Sequence, residues 1–117
     1  DKGSNVSSPV YHDGHLYWIH ERNGVANCLD AATGETKYQA RLEPRPGLVY
    51  SSIMVADGKL YCASMHNGTY VISASPKFEL LQHNVFADDN SRTNACPAVH
   101  NGQLLLRTDK YLYCIGE

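Results

Sequence analysis

This sequence predicts an all-β fold built on a 44-residue repeat, and three observations predict it. The turn dipeptides Asp13-Gly14, Asp57-Gly58 and Asn101-Gly102 recur at a spacing of 44 residues. Their surroundings repeat in the same register. Ser7-Ser8 matches Ser51-Ser52, Leu16-Tyr17 matches Leu60-Tyr61, Leu104 falls in register with Leu16, and Asn23-Gly24 matches Asn67-Gly68. In the third copy, Pro97 and His100 match Pro9 and His12. The strands themselves are near-continuous apolar runs, Leu16-Tyr17-Trp18-Ile19, Leu60-Tyr61-Cys62-Ala63 and Leu104-Leu105-Leu106. A sheet with one wet face alternates apolar and polar residues, so these strands are expected to be covered on both faces. Four-stranded antiparallel sheets repeated every 40–45 residues and sandwiched between neighbours make a partial β-propeller.

Each element follows from local chemistry. Asp-Gly and Asn-Gly favour positive φ at both central residues of a two-residue hairpin. They separate strands 8–12 from 15–20, 52–56 from 59–64, and 95–100 from 103–108. The third strands, 25–29, 69–73 and 111–115, are rich in apolar and β-branched residues. Fourth strands are expected at 36–42 and 78–85. No helix-start signal precedes a sustained 3.6-residue period. The copies span 7–50, 51–94 and an incomplete 95–117, within a single partial propeller domain. Eleven strands make about 2.75 blades of four.

Composition sets outer limits. Of the 117 residues, 43% are hydrophobic and 19% charged, a foldable globular balance. A net charge of −2 argues against a dedicated nucleic-acid or anionic-membrane surface, which needs clustered Lys and Arg. No apolar run approaches the length of a membrane-spanning helix.

The segment Cys28-Leu29-Asp30-Ala31-Ala32-Thr33-Gly34-Glu35-Thr36-Lys37-Tyr38 resembles the blade motif of the pyrroloquinoline-quinone (PQQ) repeat family, roughly A-x-D-x-x-T-G-x-x-x-W. Cys28 stands where that motif has Ala, and Tyr38 where it has Trp. The second copy departs at Ser73-Ala74-Ser75-Pro76-Lys77-Phe78, which has no Thr-Gly turn. The family includes quinoprotein dehydrogenases and BamB-like outer-membrane assembly lipoproteins. The resemblance implies a ring of seven or eight blades, so this arc is expected to be the C-terminal part of a longer propeller or to assemble with copies of itself. It also implies a bacterial, extracytoplasmic setting, periplasmic or at the cell surface. The expected function is a non-enzymatic module that presents loops to a protein or surface ligand, with no cofactor. The alternative is a fragment of a PQQ-dependent quinoprotein oxidoreductase, using PQQ with calcium. The adjacent cysteine pair of quinoprotein dehydrogenases is absent here.

Function is expected on the face shared by loops 21–24, 43–50, 65–68, 86–94 and 108–110, because loops carry binding groups on a rigid scaffold. The candidates are Arg45, Tyr50, Ser52, His66, Asp88, Asp89, Arg92, Thr93 and Asn94. The 86–94 loop is the longest and most polar, and is expected to be solvated. Asp88-Asp89-Asn90 lacks the glycine and the bidentate Glu of a calcium loop. His12 and His15 flank a turn that recurs without histidines at Ala56-Asp57-Gly58-Lys59, so no metal is assigned there. No catalytic signature appears. Tyr17, Trp18, Tyr61 and Tyr70 are expected to pack blade on blade. The four cysteines are expected to be buried free thiols. Cys28 and Cys114 sit a blade apart, beyond disulfide reach, while a Cys62–Cys96 pairing stays open.

Overall fold

The computed structural model describes residues 3–116 and is all-β. The first sheet holds β1 (Val10–His12), β2 (His15–Ile19), β3 (Val25–Asp30) and β4 (Thr36–Arg41). The second holds β5 (Met54–Ala56), β6 (Lys59–Ala63), β7 (Thr69–Ser73) and β8 (Leu80–Asn84). The third holds β9 (Ala98–His100), β10 (Gln103–Arg107) and β11 (Leu112–Ile115). Each is an antiparallel meander in chain order.

Turn chemistry accounts for the repeat. Asp13, Asp57 and Asn101 take φ between 46° and 49°, and the glycine after each is also positive, as a type I′ hairpin demands. The pairs His12↔His15, Ala56↔Lys59 and Gln103↔His100 close the three hairpins. The Thr-Gly motif is a second turn. Asp30 Oδ1 accepts from the backbone N–H groups of Ala32 and Thr33, each at 2.9 Å, and Gly34 follows at φ 75°. Those N–H groups hold the Asp30 carboxyl below its usual range.

Alternation sends each strand's side chains to opposite neighbours. Tyr17, Ile19, Ala26 and Cys28 leave the first sheet and meet Leu60, Cys62, Tyr70 and Ile72 of the second, all essentially buried. Tyr38 closes this core edge-on against Phe78, with ring centroids 5.4 Å apart. The second copy therefore replaces the Thr-Gly turn with a segment that delivers the partner ring. The connection between sheets contributes Leu42, Pro46 and Val49 to the interior.

Hydrogen bonds between blades also repeat every 44 residues. Ser8 N–H donates to Ser52 Oγ at 2.9 Å, and Ser52 N–H donates to Cys96 Sγ at 3.1 Å. Val49 N–H binds Glu21 O as Thr93 N–H binds Met65 O. Met65 N–H binds Leu48 O as Asp109 N–H binds Arg92 O. Each connection is thus tied to the loops of the blade it leaves and the blade it enters.

The third sheet is covered less than the apolar run at 104–106 predicts. Val99, Leu112 and Ile115 are exposed. The cysteine expectation is corrected in the same place. Cys28 and Cys62 are buried, but Cys96 and Cys114 are exposed, and all four are free thiols. Cys114 pairs with Leu105 on the side of the sheet turned away from the second blade, where nothing described covers it.

Candidate functional site

The loop face is braced from beneath. In the 43–50 connection, Pro44 O accepts from Tyr70 Oη at 2.6 Å and Pro46 O accepts from Asn67 Nδ2 at 2.9 Å. Gly24 approaches the Pro46 ring so closely that a Cβ there would sit 2.6 Å from Cδ. With Pro44 and Pro46 held, Arg45 projects outward and is exposed. Tyr50 is half-buried at the end of this connection. Ser52 belongs to the 44-residue ladder, its hydroxyl accepting from Ser8 and its N–H engaged with Cys96.

The 86–94 connection is built around Asp89, and here the expectation of a solvated acidic loop is corrected. Asp89 is buried, at 8% exposure. Its Oδ1 accepts from Ser91 N–H and Ser91 Oγ. Its Oδ2 accepts from Thr108 Oγ1 at 2.7 Å and Tyr113 Oη at 2.8 Å. These donors, Ser91 first and Thr108 next, hold the Asp89 carboxyl well below the usual carboxylate range. Burial and the Asp89 charge push the Tyr113 phenol up to about 12. Four donors use the lone-pair directions of one carboxylate, so Asp89 fixes the loop rather than receiving a ligand. Tyr113 also stacks on Phe86, with centroids 3.7 Å apart.

Around that hub the remaining candidates stay near the surface. Asp88 and Asn94 are exposed. Arg92 Nε lies 3.3 Å from Asp109 Oδ2, both side chains about half exposed. His66 is exposed on the neighbouring loop, and Thr93 is held by its N–H on Met65 O. The inter-loop hydrogen bonds therefore gather His66, Asp88, Arg92, Thr93 and Asn94 around the second and third blades. Arg45 and Tyr50 sit on the adjoining connection.

Glu21 is a residue that motif reading missed. It is 2% exposed, and its carboxylate accepts from Asn5 N–H at 3.3 Å and Asn5 Nδ2 at 3.0 Å. Its own backbone N–H and the Asn5 groups lower its pKa. Positions 21, 65 and 109 are equivalent in three successive loops, but Met65 interrupts the acidic series, so the repeat does not single out Glu21. Among the described residues, no three His, Cys, Asp or Glu side chains gather as a metal site would require.

The arrangement of sheets matches solved structures. Quinohemoprotein alcohol dehydrogenase from Comamonas testosteroni superposes with a TM-score of 0.69 at 17% identity, over 88% of this chain and 17% of that one. The chain shares the β-propeller fold. Quinohemoprotein alcohol dehydrogenase ADHIIG from Pseudomonas putida HK5 gives 0.64 at 19% identity, over 91% of this chain and 17% of that one. The chain thus spans about a sixth of the length of either dehydrogenase. The computationally designed Ika4 protein gives 0.57 at 8% identity, over 97% of this chain and 92% of that one. No family model matches the chain, and no curated protein does.

Proposed function

We propose that this chain is a non-enzymatic, PQQ-like propeller module that binds a protein or surface ligand through its loop face. The observation that carries the reading is the contrast between braced loop backbones and projecting polar side chains. Asp89, Tyr70 and Asn67 fix the connections, while Arg45, His66, Asp88 and Asn94 remain exposed. Binding groups held on a stiff scaffold lose little conformational entropy on association. The remaining blades come from a longer chain or from copies of this one. The family resemblance supports a setting outside the bacterial cytoplasm, and among the described residues no helix is long and apolar enough to cross a membrane.

The likeness to two quinohemoprotein alcohol dehydrogenases favours a second reading, part of a quinone-dependent oxidoreductase. The residues present do not fit a PQQ-calcium site on their own. Ser52 and Cys96 at the inner strand entries are engaged with neighbouring blades, and no group of three ligating side chains forms among the described residues.

One experiment separates the readings. The chain is titrated with PQQ plus calcium while its thermal midpoint is followed, and an Arg45→Ala/Asp88→Ala/Asn94→Ala variant is compared in crosslinking to partners. A binding module shows no ligand-linked rise in midpoint. Its variant keeps the wild-type midpoint and loses the crosslinks. A saturable rise with the cofactor reverses the assignment.

A further inference from the structure

The interface between the first and second blades is filled, whereas that between the second and third leaves an open-sided cleft of about 300 Å³. The difference is written at three equivalent positions. Where the first blade presents Ile19, the second has Ala63, which sits 44 residues later and is 1% exposed. Where β3 has Ala26 opposite Ile19, β7 has Thr69 opposite Ala63. Where β4 supplies the aromatic Tyr38 opposite Cys28, β8 supplies Gln82 opposite Val71. Two large apolar groups are lost from the second blade's outward face and one hydroxyl is gained.

The floor is apolar, and the rim toward the loops carries the polar residues His66, Asn84, Ser91 and Thr93. Tyr61, Ala63 and Val71 face Leu104, Leu106 and Ile115 across the gap. Phe86, stacked on Tyr113, closes one side. The Thr69 side chain lines this space at 7% exposure, and its hydroxyl has no hydrogen-bond partner among the described residues. No fully buried side-chain polar atom lacks a partner among the described residues, so this hydroxyl opens onto the cleft and can meet a ligand there. Apolar cavities of about 150 Å³ stay dry and accept benzene, so twice that volume suits a bicyclic ring. Small-molecule pockets begin near this size. The negative charge of Asp89 at the margin opposes an anion.

We propose that the cleft between the second and third blades is a binding site for a neutral bicyclic aromatic molecule bearing one hydroxyl or N–H group. The ring lies among Tyr61, Val71, Leu104 and Leu106, and the polar group meets the Thr69 hydroxyl. The cleft opens among the loop residues His66 and Thr93 but uses none of Arg45, Asp88 or Asn94, so separate variants test the two readings.

Calorimetry and ligand-observed NMR on the intact chain, with naphthol as the probe and naphthoate as its anionic comparator, test this. Naphthol binds saturably, and at least tenfold more tightly than naphthoate. Ala63→Ile restores the first-blade residue, fills the cavity and weakens naphthol at least tenfold. Thr69→Val keeps the shape and weakens naphthol roughly three- to tenfold, the loss of one hydrogen bond. It leaves naphthalene binding unchanged. Absence of saturable naphthol binding overturns the site. Equal affinity in a folded Ala63→Ile chain overturns its location. If that variant does not fold, undiminished naphthol affinity in Thr69→Val overturns the assigned contact.

Discussion

Asp89 shows how one side chain can be read in opposite ways. In the sequence it stands in a polar run with Asp88, Asn90 and Arg92, which suggests solvent. Its partners Thr108 and Tyr113 lie 19 and 24 residues away, and no local pattern announces them. Its lowered pKa fixes the sign of a pH effect. A carboxyl whose folded pKa lies below the unfolded value stabilises the fold fully above that unfolded value, about 4. That stability drains away as pH falls below it. Thermal midpoints measured from pH 7 to pH 2 should fall below pH 4, and the fall should be shallower in Asp89→Asn. Asp89→Asn should also be less stable at pH 7, because an amide nitrogen faces hydroxyl donors. An unchanged acid limb would assign the acid sensitivity elsewhere. Two glycines give a second test. Gly34 has φ 75° with open space where a Cβ would go, so Gly34→Val costs about 1–2 kcal/mol from backbone strain. Gly68 has φ 83° and any Cβ meets the Asn84 carbonyl, so Gly68→Ala costs more although the side chain is smaller. Urea unfolding of the two variants checks the order.

The strands show which signals are local. All eleven fall where turn dipeptides and apolar runs predict them, because type I′ hairpins are specified by two residues and strand composition by five or six. The first strands are shorter than expected, starting at Met54 and Ala98. The preceding residues make contacts between blades instead, as Ser52 and Cys96 do. The uneven interfaces were not legible, since the alternation is similar in all copies and only the pairing partners differ. That unevenness predicts uneven mutational costs. Ile72 is fully buried in the filled interface, and Ile72→Ala should cost about 2–5 kcal/mol. Leu106 borders the cavity and already lacks some packing partners, so Leu106→Ala should cost no more than about 2 kcal/mol. Hydrogen exchange should rank the strands alike, with amides of β6 and β7 slowest and those of β9 and β11 fastest.

The molecule as a whole is an arc whose repeated contacts end unequally. Within it, residues 8, 52 and 96 form one ladder, the N–H groups of Ser8 and Ser52 each reaching the side chain 44 residues ahead. The third sheet turns Ala98, Leu105 and Cys114 away from the second blade, at strand positions equivalent to Val10, Tyr17 and Cys28. Those three first-blade residues lie in the filled core. A further blade set against the third sheet, from any source, would therefore bury Cys114 as the second blade buries Cys28. The thiol is a built-in reporter. In dilute chain, a thiol reagent should modify Cys96 and Cys114 rapidly and leave Cys28 and Cys62 protected. Burial pushes the Cys62 thiol up to about 12, which removes its thiolate as well as its access. Light scattering on the same samples gives the mass. If arcs associate through this face, Cys114 becomes protected over the concentration range in which the mass rises to a multiple of the chain's. Cys114 reactivity that stays constant while the mass rises would place the contact on a different surface. A mass that stays at one chain with Cys114 reactive would show that copies of this chain do not cover that face.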